Sequence, residues 1–215
     1  KLQTAEQMKQ SSPELIDYDK NIAALKEVQP TPVKASDIAV RVGTSWIDSE
    51  LYKEFFCQLI ALPYYMRDGI ELYYNKHDGS WRVDRTTGYV KNFRTMNVTS
   101  VYGTERANAY RLFEDCLNQR STQIYDTVLD ADGREKRVLN NSETVAAREK
   151  QNKIVEAFKD WIFRDPTRRD ELEAVYNRMF NQIRLPKYDG SYLRFPEMNP
   201  AIELRPHQKD AVHRI

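Results

Sequence analysis

The stretch NNSETVAAREKQNKIVEAFKDWIFRDP, residues 140–166, carries the clearest periodicity in the chain. Its apolar residues recur at helical spacing and define one face of a long helix: Ile154, Val155, Phe158, Trp161 and Ile162. Asn140 and Glu143 precede them at the spacing of a capping box. Asp165-Pro166 ends this helix and begins the next, with Asp as the cap and Pro at the first helical position. The stretch therefore predicts a C-terminal antiparallel helical hairpin, with Trp161 and Phe180 in one core.

Two β-hairpins are predicted upstream of this stretch. The runs 70–74 and 80–84 flank Asp78-Gly79, and the runs 123–129 and 135–139 flank Asp132-Gly133. Asp-Gly suits the positive backbone angles of a tight hairpin turn. Because these strands alternate with helices without a regular βαβ repeat, the predicted fold class is α+β, with small antiparallel β-hairpins packed with helices.

Three further elements follow from local signals. Asp48 is placed to cap a helix before the first hairpin, and Thr104 is placed to cap another helix after it. A strand is predicted at residues 98–102. Near the N-terminus a short helix ends at Pro30 and Pro32. These signals divide the chain into a linker with a short helix (1–36), an α+β connecting domain (37–197) and the start of another domain (198–215).

Composition indicates a folded protein with little net charge. Apolar residues make up 40% and charged residues 30%, and Lys+Arg (33) nearly equals Asp+Glu (32), for a formal charge of +1. Binding to a polyanion would therefore depend on a local patch. We expect a cytoplasmic protein without a membrane partner, because the apolar runs fall short of the roughly 20 residues needed to cross a bilayer. Cys57 and Cys116 fit reduced, packed thiols in that compartment.

Sequence signatures of catalysis are missing from the chain. It contains no G-x-x-x-x-G-K-[ST] loop for phosphates, no [DN]-P-P-[YF] methylase motif and no [DE]-x-K nuclease pair. The three histidines are scattered, and the cysteines form no C-x-x-C. We therefore name no catalytic residue, no metal ligand and no cofactor for this chain, and an enzyme with a novel site is the least favoured interpretation.

The stretch from Trp81 to Arg94 is the best local candidate for DNA binding. Its basic residues outnumber its acids, and aromatic residues lie between them; the candidate contacts are Trp81, Arg82, Arg85, Lys91 and Arg94. Cations bind phosphates and aromatic faces stack on bases. The alternative is a twisted hairpin whose aromatic rings pack inward and whose charges are solvated.

The C-terminal LRPHQ, residues 204–208, precedes an amphipathic helix and resembles the glutamine motif ahead of the first ATPase lobe in superfamily-two helicases, particularly the Swi/Snf-like and restriction-enzyme branches. The resemblance implies that Gln208 reads adenine in a larger parent protein, with Arg205 as a helper near the nucleotide. A glutamine amide matches the adjacent acceptor and donor of adenine. The alternative is a surface glutamine in a linker helix.

Other segments extend this resemblance from about Asn21 to the C-terminus. They are similar to the region that connects an adenine-specific DNA methylase to a Swi/Snf-like helicase in very large polypeptides of phages and mobile elements: NIAALKEVQP at 21–30, DIAVRVGTSWI at 37–47, YGTERANA at 102–109, NSET at 141–144 and YNRMFN at 176–181. The resemblance implies ATP and Mg for the parent, and S-adenosylmethionine where the methylase half is present. It supplies no catalytic role for the connecting segments.

We therefore expect a non-catalytic fragment of a DNA methylase/helicase. It would contact DNA, or couple the neighbouring methylase and helicase domains, next to an ATP-dependent motor. The alternative is a purely structural spacer or protein-interaction domain. A salt-dependent affinity for DNA would distinguish the two functions.

Overall fold

The structure is a computed structural model that describes residues 2–11, 18–129, 133–183, 188–199 and 201–215. Two compact units are present, one formed by Val33–Met179 and the other by Lys1–Pro32 with Phe180–Ile215. The predicted α+β class is confirmed, with two small antiparallel hairpin sheets and a C-terminal helix. The helices and strands in chain order are α1 (Leu2–Ser11), α2 (Tyr18–Glu27), α3 (Ser49–Leu59), β1 (Ile70–Asn75), β2 (Ser80–Arg85), α4 (Gly88–Lys91), α5 (Ala109–Leu117), β3 (Tyr125–Leu129), β4 (Glu135–Leu139), α6 (Asn141–Ile162), α7 (Pro166–Phe180) and α8 (Pro206–Arg214).

Both predicted hairpins are present. Strands β1 and β2 form the first hairpin, with Tyr74 opposite Trp81, and β3 and β4 form the second, with Tyr125 opposite Leu139. The turn glycines Gly79 and Gly133 have φ angles of +69° and +75°, the left-handed region that glycine adopts without steric cost. Asp132 lies outside the described residues.

Aromatic rings from three helices fill the core of the Val33–Met179 unit. The rings of Phe56 in α3 and Phe113 in α5 stack at 4.4 Å, and Phe55 meets Phe158 of α6 edge-on at 5.1 Å. All four side chains are buried. Such ring pairs add about 0.5–1.5 kcal/mol beyond the area they bury, so α3, α5 and α6 form the scaffold on which the hairpins are mounted.

Side-chain caps fix where these helices begin. As predicted, Asp48 accepts a hydrogen bond from Glu50 N at α3, Asn140 accepts one from Glu143 N at α6, and Asp165 accepts one from Arg168 N at α7. Each cap satisfies an amide that has no partner within the helix.

The predicted cap of α5 by Thr104 is wrong, because Asn108 takes that position and accepts from Arg111 N. Thr104 instead closes a local loop in which its hydroxyl accepts from Ala107 N. The predicted strand at 98–102 is also wrong, and residues Asn97–Val101 form a π-helical turn. The Tyr102 amide donates to Asn97 O at 3.0 Å, so this segment forms hydrogen bonds along the chain instead of with a neighbouring strand.

The prediction that Trp161 and Phe180 share a core is wrong as well. Trp161 packs its ring against Phe55 at 5.4 Å and donates from Nε1 to Gln58 Oε1, so it faces α3. Phe180 is 58% exposed. Helix α7 buries Leu172, and Tyr176 packs edge-on against Trp46. The apolar spacing identified the helix but did not identify which turns of it are covered.

The second unit contains α1, α2 and α8. Helix α1 falls in the predicted linker, which has weak apolar periodicity; Glu6 in α1 forms an ion pair with Lys26 in α2. The carbonyl of Lys209 in α8 approaches Gly190 so closely that a Cβ there would lie 2.1 Å away, and Tyr192 hydrogen-bonds His213 at 2.8 Å. Helix α8 is therefore held by contacts with the segment 188–192 that precedes it. No helix in the described part of the chain is long and apolar enough to span a membrane.

Candidate nucleic-acid interface

Trp81 does not belong to the predicted DNA-binding surface. Its side chain is 4% exposed, its ring packs against Tyr52 at 5.1 Å and Tyr74 at 4.9 Å, and its Nε1 donates to Gly43 O at 2.9 Å. A ring held in this way cannot stack on a base. The hairpin register could have revealed this, because Trp81 lies opposite Tyr74 and on the same face as buried Leu72.

Arg82 lies next to Trp81 in β2 and is exposed, opposite Tyr73 in β1. Successive side chains of a strand point to opposite faces, so Arg82 is on the solvent face of the first hairpin. It does not line the cavity that the other three predicted cations share.

Arg85, Lys91 and Arg94 line one cavity of about 420 Å³, which we name the first cavity. Arg85 ends β2, Lys91 ends α4, and Arg94 follows in the loop. Helix α4 is anchored by Val90, which is fully buried, and by close contact with Gly69, where a Cβ would lie 2.7 Å from Val90 Cγ2. Three cations that were predicted from one short stretch of sequence therefore line the same cavity.

The charges of the first cavity are largely uncompensated. Arg106 also lines it, but this guanidinium is occupied by Asp126 at 2.7 Å and by Tyr125 O at 2.8 Å. Within the described ranges, Arg85, Lys91 and Arg94 form no ion pair. Glu105 is the one carboxylate among the described residues around the cavity. The site is therefore suited to an anion.

Tyr110 adds a buried hydroxyl to the lining. The Arg85 guanidinium lies 4.9 Å from the centre of the Tyr110 ring, in the geometry of a cation–π contact. Burial raises the pKa of Tyr110 to about 12, with Arg85 acting in the opposite direction. Its hydroxyl is buried without a hydrogen-bond partner in the described part of the chain. Tyr110 is therefore a neutral donor at pH 7, and an unpaired buried donor costs free energy until it is satisfied.

A second cavity of about 450 Å³ was missed by the sequence reasoning. Four cations line it, from three parts of the fold: Arg41, Arg120, and Arg148 and Lys159 of α6. No carboxylate occurs among the described residues that surround it. Asn108 and Tyr110, at the start of α5, line the first cavity, whereas Cys116 and Gln119, at its other end, line the second. A helix of this length spans about 13 Å, so two basic cavities flank one short buried helix.

Buried Gln151 organises the second cavity. Its Oε1 accepts from Thr122 N at 3.0 Å and its Nε2 donates to Arg120 O at 2.9 Å, which fixes the loop after α5. The sequence carried one usable signal. Arg148 and Lys159 are eleven residues apart in α6, about three helical turns, and therefore share a face.

The cysteines show no sign of reactivity. Cys57 and Cys116 are buried, and neither is in a disulfide. Burial raises the pKa of Cys57 to about 11 and that of Cys116 to about 12, so both are protonated thiols at neutral pH, and it is the thiolate that reacts. Among the described residues, no group of three or more His, Cys, Asp or Glu side chains could hold a metal ion.

Gln208 takes part in a helix cap. It lies in the first turn of α8, and its Oε1 accepts from the backbone N of Arg205 at 2.9 Å. An amide that reads adenine must both donate and accept, so this cap would have to open for Gln208 to bind the base. Reading of adenine by Gln208, with Arg205 nearby, stays a prediction.

Comparison with known proteins identifies one family. A family model with the description "Domain of unknown function (DUF8437)" matches residues 41–182, and the chain belongs to this family. The matched span contains both cavities and ends before Arg205 and Gln208. Neither a curated protein nor a solved structure matches the chain.

Proposed function

We propose that this DUF8437 chain is a DNA-contacting domain that binds the phosphate backbone through Arg85, Lys91 and Arg94. The observation that carries the proposal is the convergence of these cations on the first cavity, where they form no ion pair with described residues. Phosphate contacts by Lys and Arg release condensed counterions and supply most of the non-specific affinity for DNA. With a formal charge of +1, the chain would depend on this local concentration of charge.

The second cavity supports the same function. Arg41, Arg120, Arg148 and Lys159 meet there without a carboxylate among the described lining residues. One phosphate follows the next at about 3.4 Å along the axis of a strand, so the length of α5 corresponds to a few nucleotides. A strand that followed α5 would meet cations at both ends.

We also propose that the chain is part of a larger parent protein with a methylase and a helicase. The resemblance of residues 204–208 to the helicase glutamine motif supports a neighbouring ATP-dependent helicase motor, and the upstream segments support a preceding adenine methylase. ATP and Mg would belong to the motor, and S-adenosylmethionine to the methylase. This chain would couple the two by holding the DNA between them.

Charge-matched variants can test the DNA contact. One variant replaces Arg85, Lys91 and Arg94 by Gln, and its control replaces Lys76, Lys136 and Arg178, exposed cations outside both cavities. Affinity for a fluorescent DNA is measured by anisotropy over a range of salt concentrations. We expect the cavity variant to bind more weakly and to lose about 2–3 units of the slope of log K against log salt, since each phosphate contact contributes about 0.7–0.9.

The control has the same net charge, so it should retain most of the affinity. Equal losses in both variants would show that binding follows net charge alone. An intact protein that shows no salt-dependent affinity for DNA would contradict the proposal.

A protein-interaction or spacer function is the second candidate, and the second hairpin favours it. Apolar side chains of this hairpin are exposed: Val128, Leu129, Val138 and Leu139. Exposed apolar side chains on a strand pair are typical of a surface that binds another protein. If the chain does not bind DNA, but Leu129→Ser weakens its association with the neighbouring domains, this second function replaces the first.

A further inference from the structure

We propose that the bound DNA is single-stranded and that its bases stack on Tyr64, Tyr65 and Tyr89. This inference rests on the proposed function and specifies its ligand. Tyr89 lies in α4 together with Lys91 of the first cavity, and α4 contacts the segment 64–69 that carries Tyr64 and Tyr65.

The three tyrosines are far more exposed than the aromatic residues of the core. Tyr64 is 84% exposed, and Tyr65 and Tyr89 are each 79% exposed. Tyr52 and Tyr110, in contrast, are buried. A ring held in water gives the fold little burial energy, and such rings are available to stack on a ligand.

The rings come from two segments in direct contact. Tyr64 and Tyr65 begin the 3-10 helix Tyr64–Gly69, and Tyr89 lies in α4. The end of that 3-10 helix contacts α4, because a Cβ at Gly69 would lie 2.7 Å from Val90 Cγ2, and Thr86 N, just before α4, donates to Gly69 O at 2.9 Å. A 3-10 helix rises about 2 Å per residue, so Tyr65 lies roughly 8 Å along the axis from this junction, the length of a few stacked bases.

Cations accompany the rings. Lys91 follows Tyr89 by two residues, and no acidic residue occurs between Asp84 and Glu105. The Arg67 guanidinium lies 5.6 Å from the centre of the Tyr64 ring. Three carboxylates, Glu50, Glu54 and Asp68, line a pocket together with Tyr64 and Tyr65. The first cavity thus supplies the phosphate-binding charge beside Tyr89, and Tyr64 and Tyr65 add stacking faces; proteins that bind single strands combine these two features.

The state of the DNA follows from the geometry of the bases. In a duplex the faces of the bases are occupied by their neighbours, so exposed tyrosine rings gain contacts only where bases are unpaired. Tyrosine and arginine are also common where proteins bind proteins. The excess of cations around the first cavity favours a polyanion over a protein partner, and the experiment below separates the two.

The test compares three ligands of equal length, about 15 nucleotides, within the usual site size for single strands. These are a thymine strand, an abasic strand with the same phosphates, and a duplex. Affinities are measured with the intact chain, with Tyr64, Tyr65 and Tyr89 replaced by Leu, and with the same positions replaced by Phe. Tyr192→Leu is the control, because Tyr192 is also well exposed but lies outside the Val33–Met179 unit.

We expect the intact chain to bind the thymine strand at least about tenfold more tightly than the abasic strand, since each stacked base contributes substantially. The Leu variant should lose this difference, whereas the Phe variant and Tyr192→Leu should keep it. The duplex should bind more weakly than the thymine strand, because its base faces are not available for stacking.

Equal affinity for all three ligands, abolished by replacing the first-cavity cations, would overturn the stacking inference and leave the proposed function intact. Failure of all three to bind would overturn both. A Leu variant that keeps the preference for bases would also refute the role of the tyrosines.

Discussion

The two hairpins share the same local signals but differ in how they are held. Each has two short strands and an Asp-Gly pair in the sequence between them, and the glycine of each pair has a positive φ. In the first hairpin Ile70, Leu72 and Trp81 are buried, whereas in the second all residues of both strands except Asp126 are exposed. Strand propensity and turn chemistry therefore specify a hairpin, and the packing of neighbouring elements determines whether it becomes part of a core.

Attachment explains the difference. The first hairpin contacts both α3 and α5, and Glu114 of α5 accepts from the backbone N of Val83. The second hairpin is held at its base, where Asn140 N donates to Ile124 O at 2.8 Å and Ile124 N donates to Thr144 Oγ1 at 3.0 Å. We expect the first hairpin to unfold with the core and the second to open by itself.

The largest effect is expected from Trp81→Ala. This substitution empties a buried site between Tyr52 and Tyr74, and large aromatic truncations in a core cost about 3–5 kcal/mol. The free energy of unfolding would be measured by urea denaturation, with Trp81→Phe expected to restore part of the loss. A loss below about 1 kcal/mol would contradict the packing of the first hairpin.

Alkaline pH should destabilise the core to which the first hairpin belongs. Burial raises the pKa of Tyr52 from 10.0 to about 12, and Tyr110 behaves in the same way. The unfolded chain releases these protons first, so the stability is fully present below pH 10 and is lost between pH 10 and 12. A shift of this size corresponds to roughly 2–3 kcal/mol for Tyr52.

Urea denaturation at pH 9 and pH 11 would measure this loss. Tyr52→Phe is expected to be less stable at pH 9, because the hydroxyl donates to Thr44 O at 3.1 Å, but to lose less on going to pH 11. An unchanged pH dependence in Tyr52→Phe would show that other groups cause it.

Alanine substitutions in the two turns would show whether the two hairpins unfold together or separately. Gly79→Ala and Gly133→Ala each place a side chain at positive φ, which costs about 1–2 kcal/mol. Gly79→Ala should lower the free energy of global unfolding. Gly133→Ala should instead make amide exchange faster only in β3 and β4. Hydrogen exchange followed residue by residue would show this, and a global loss of stability in Gly133→Ala would mean that the second hairpin unfolds with the core.

The smallest effect is expected from Leu129→Ala. Leu129 is 70% exposed, so its removal should change the free energy of unfolding by no more than about 0.5 kcal/mol. The thermal denaturation of Leu129→Ala would be compared with that of Trp81→Ala. A cost near that of Trp81→Ala would show that the second hairpin is covered in solution.

Much of the fold could be predicted because its signals are local. The caps Asp48, Asn140 and Asp165 and the turn at Gly79 depend on a few neighbouring residues. The segment 98–102 was misassigned because its β-branched residues, Val98, Thr99 and Val101, fit a strand, and the local hydrogen bonds that prevail there have no sequence signature. Helix α1 was missed because polar residues dominate its sequence and leave little apolar periodicity.

The candidate site was predicted in part for the same reason. Arg85, Lys91 and Arg94 are close in sequence, so composition alone revealed them. Arg41 and Arg148 belong to segments more than one hundred residues apart, and only the folded chain brings them to one cavity. Tyr64 and Tyr65 were not predicted as site residues, because the sequence does not show whether neighbouring aromatic side chains are buried or exposed.

Gly43 shows how tightly one position can be constrained. Its φ is +85°, and a Cβ there would lie 1.8 Å from the carbonyl oxygen of Leu117. The carbonyl of the same glycine accepts the indole N–H of Trp81 at 2.9 Å. No other amino acid fits this place, so a saturation library at codon 43 should return glycine alone among well-folded clones. An alignment of the DUF8437 family should likewise show an invariant glycine at this position, together with a hydrogen-bond-donating aromatic residue where Trp81 stands.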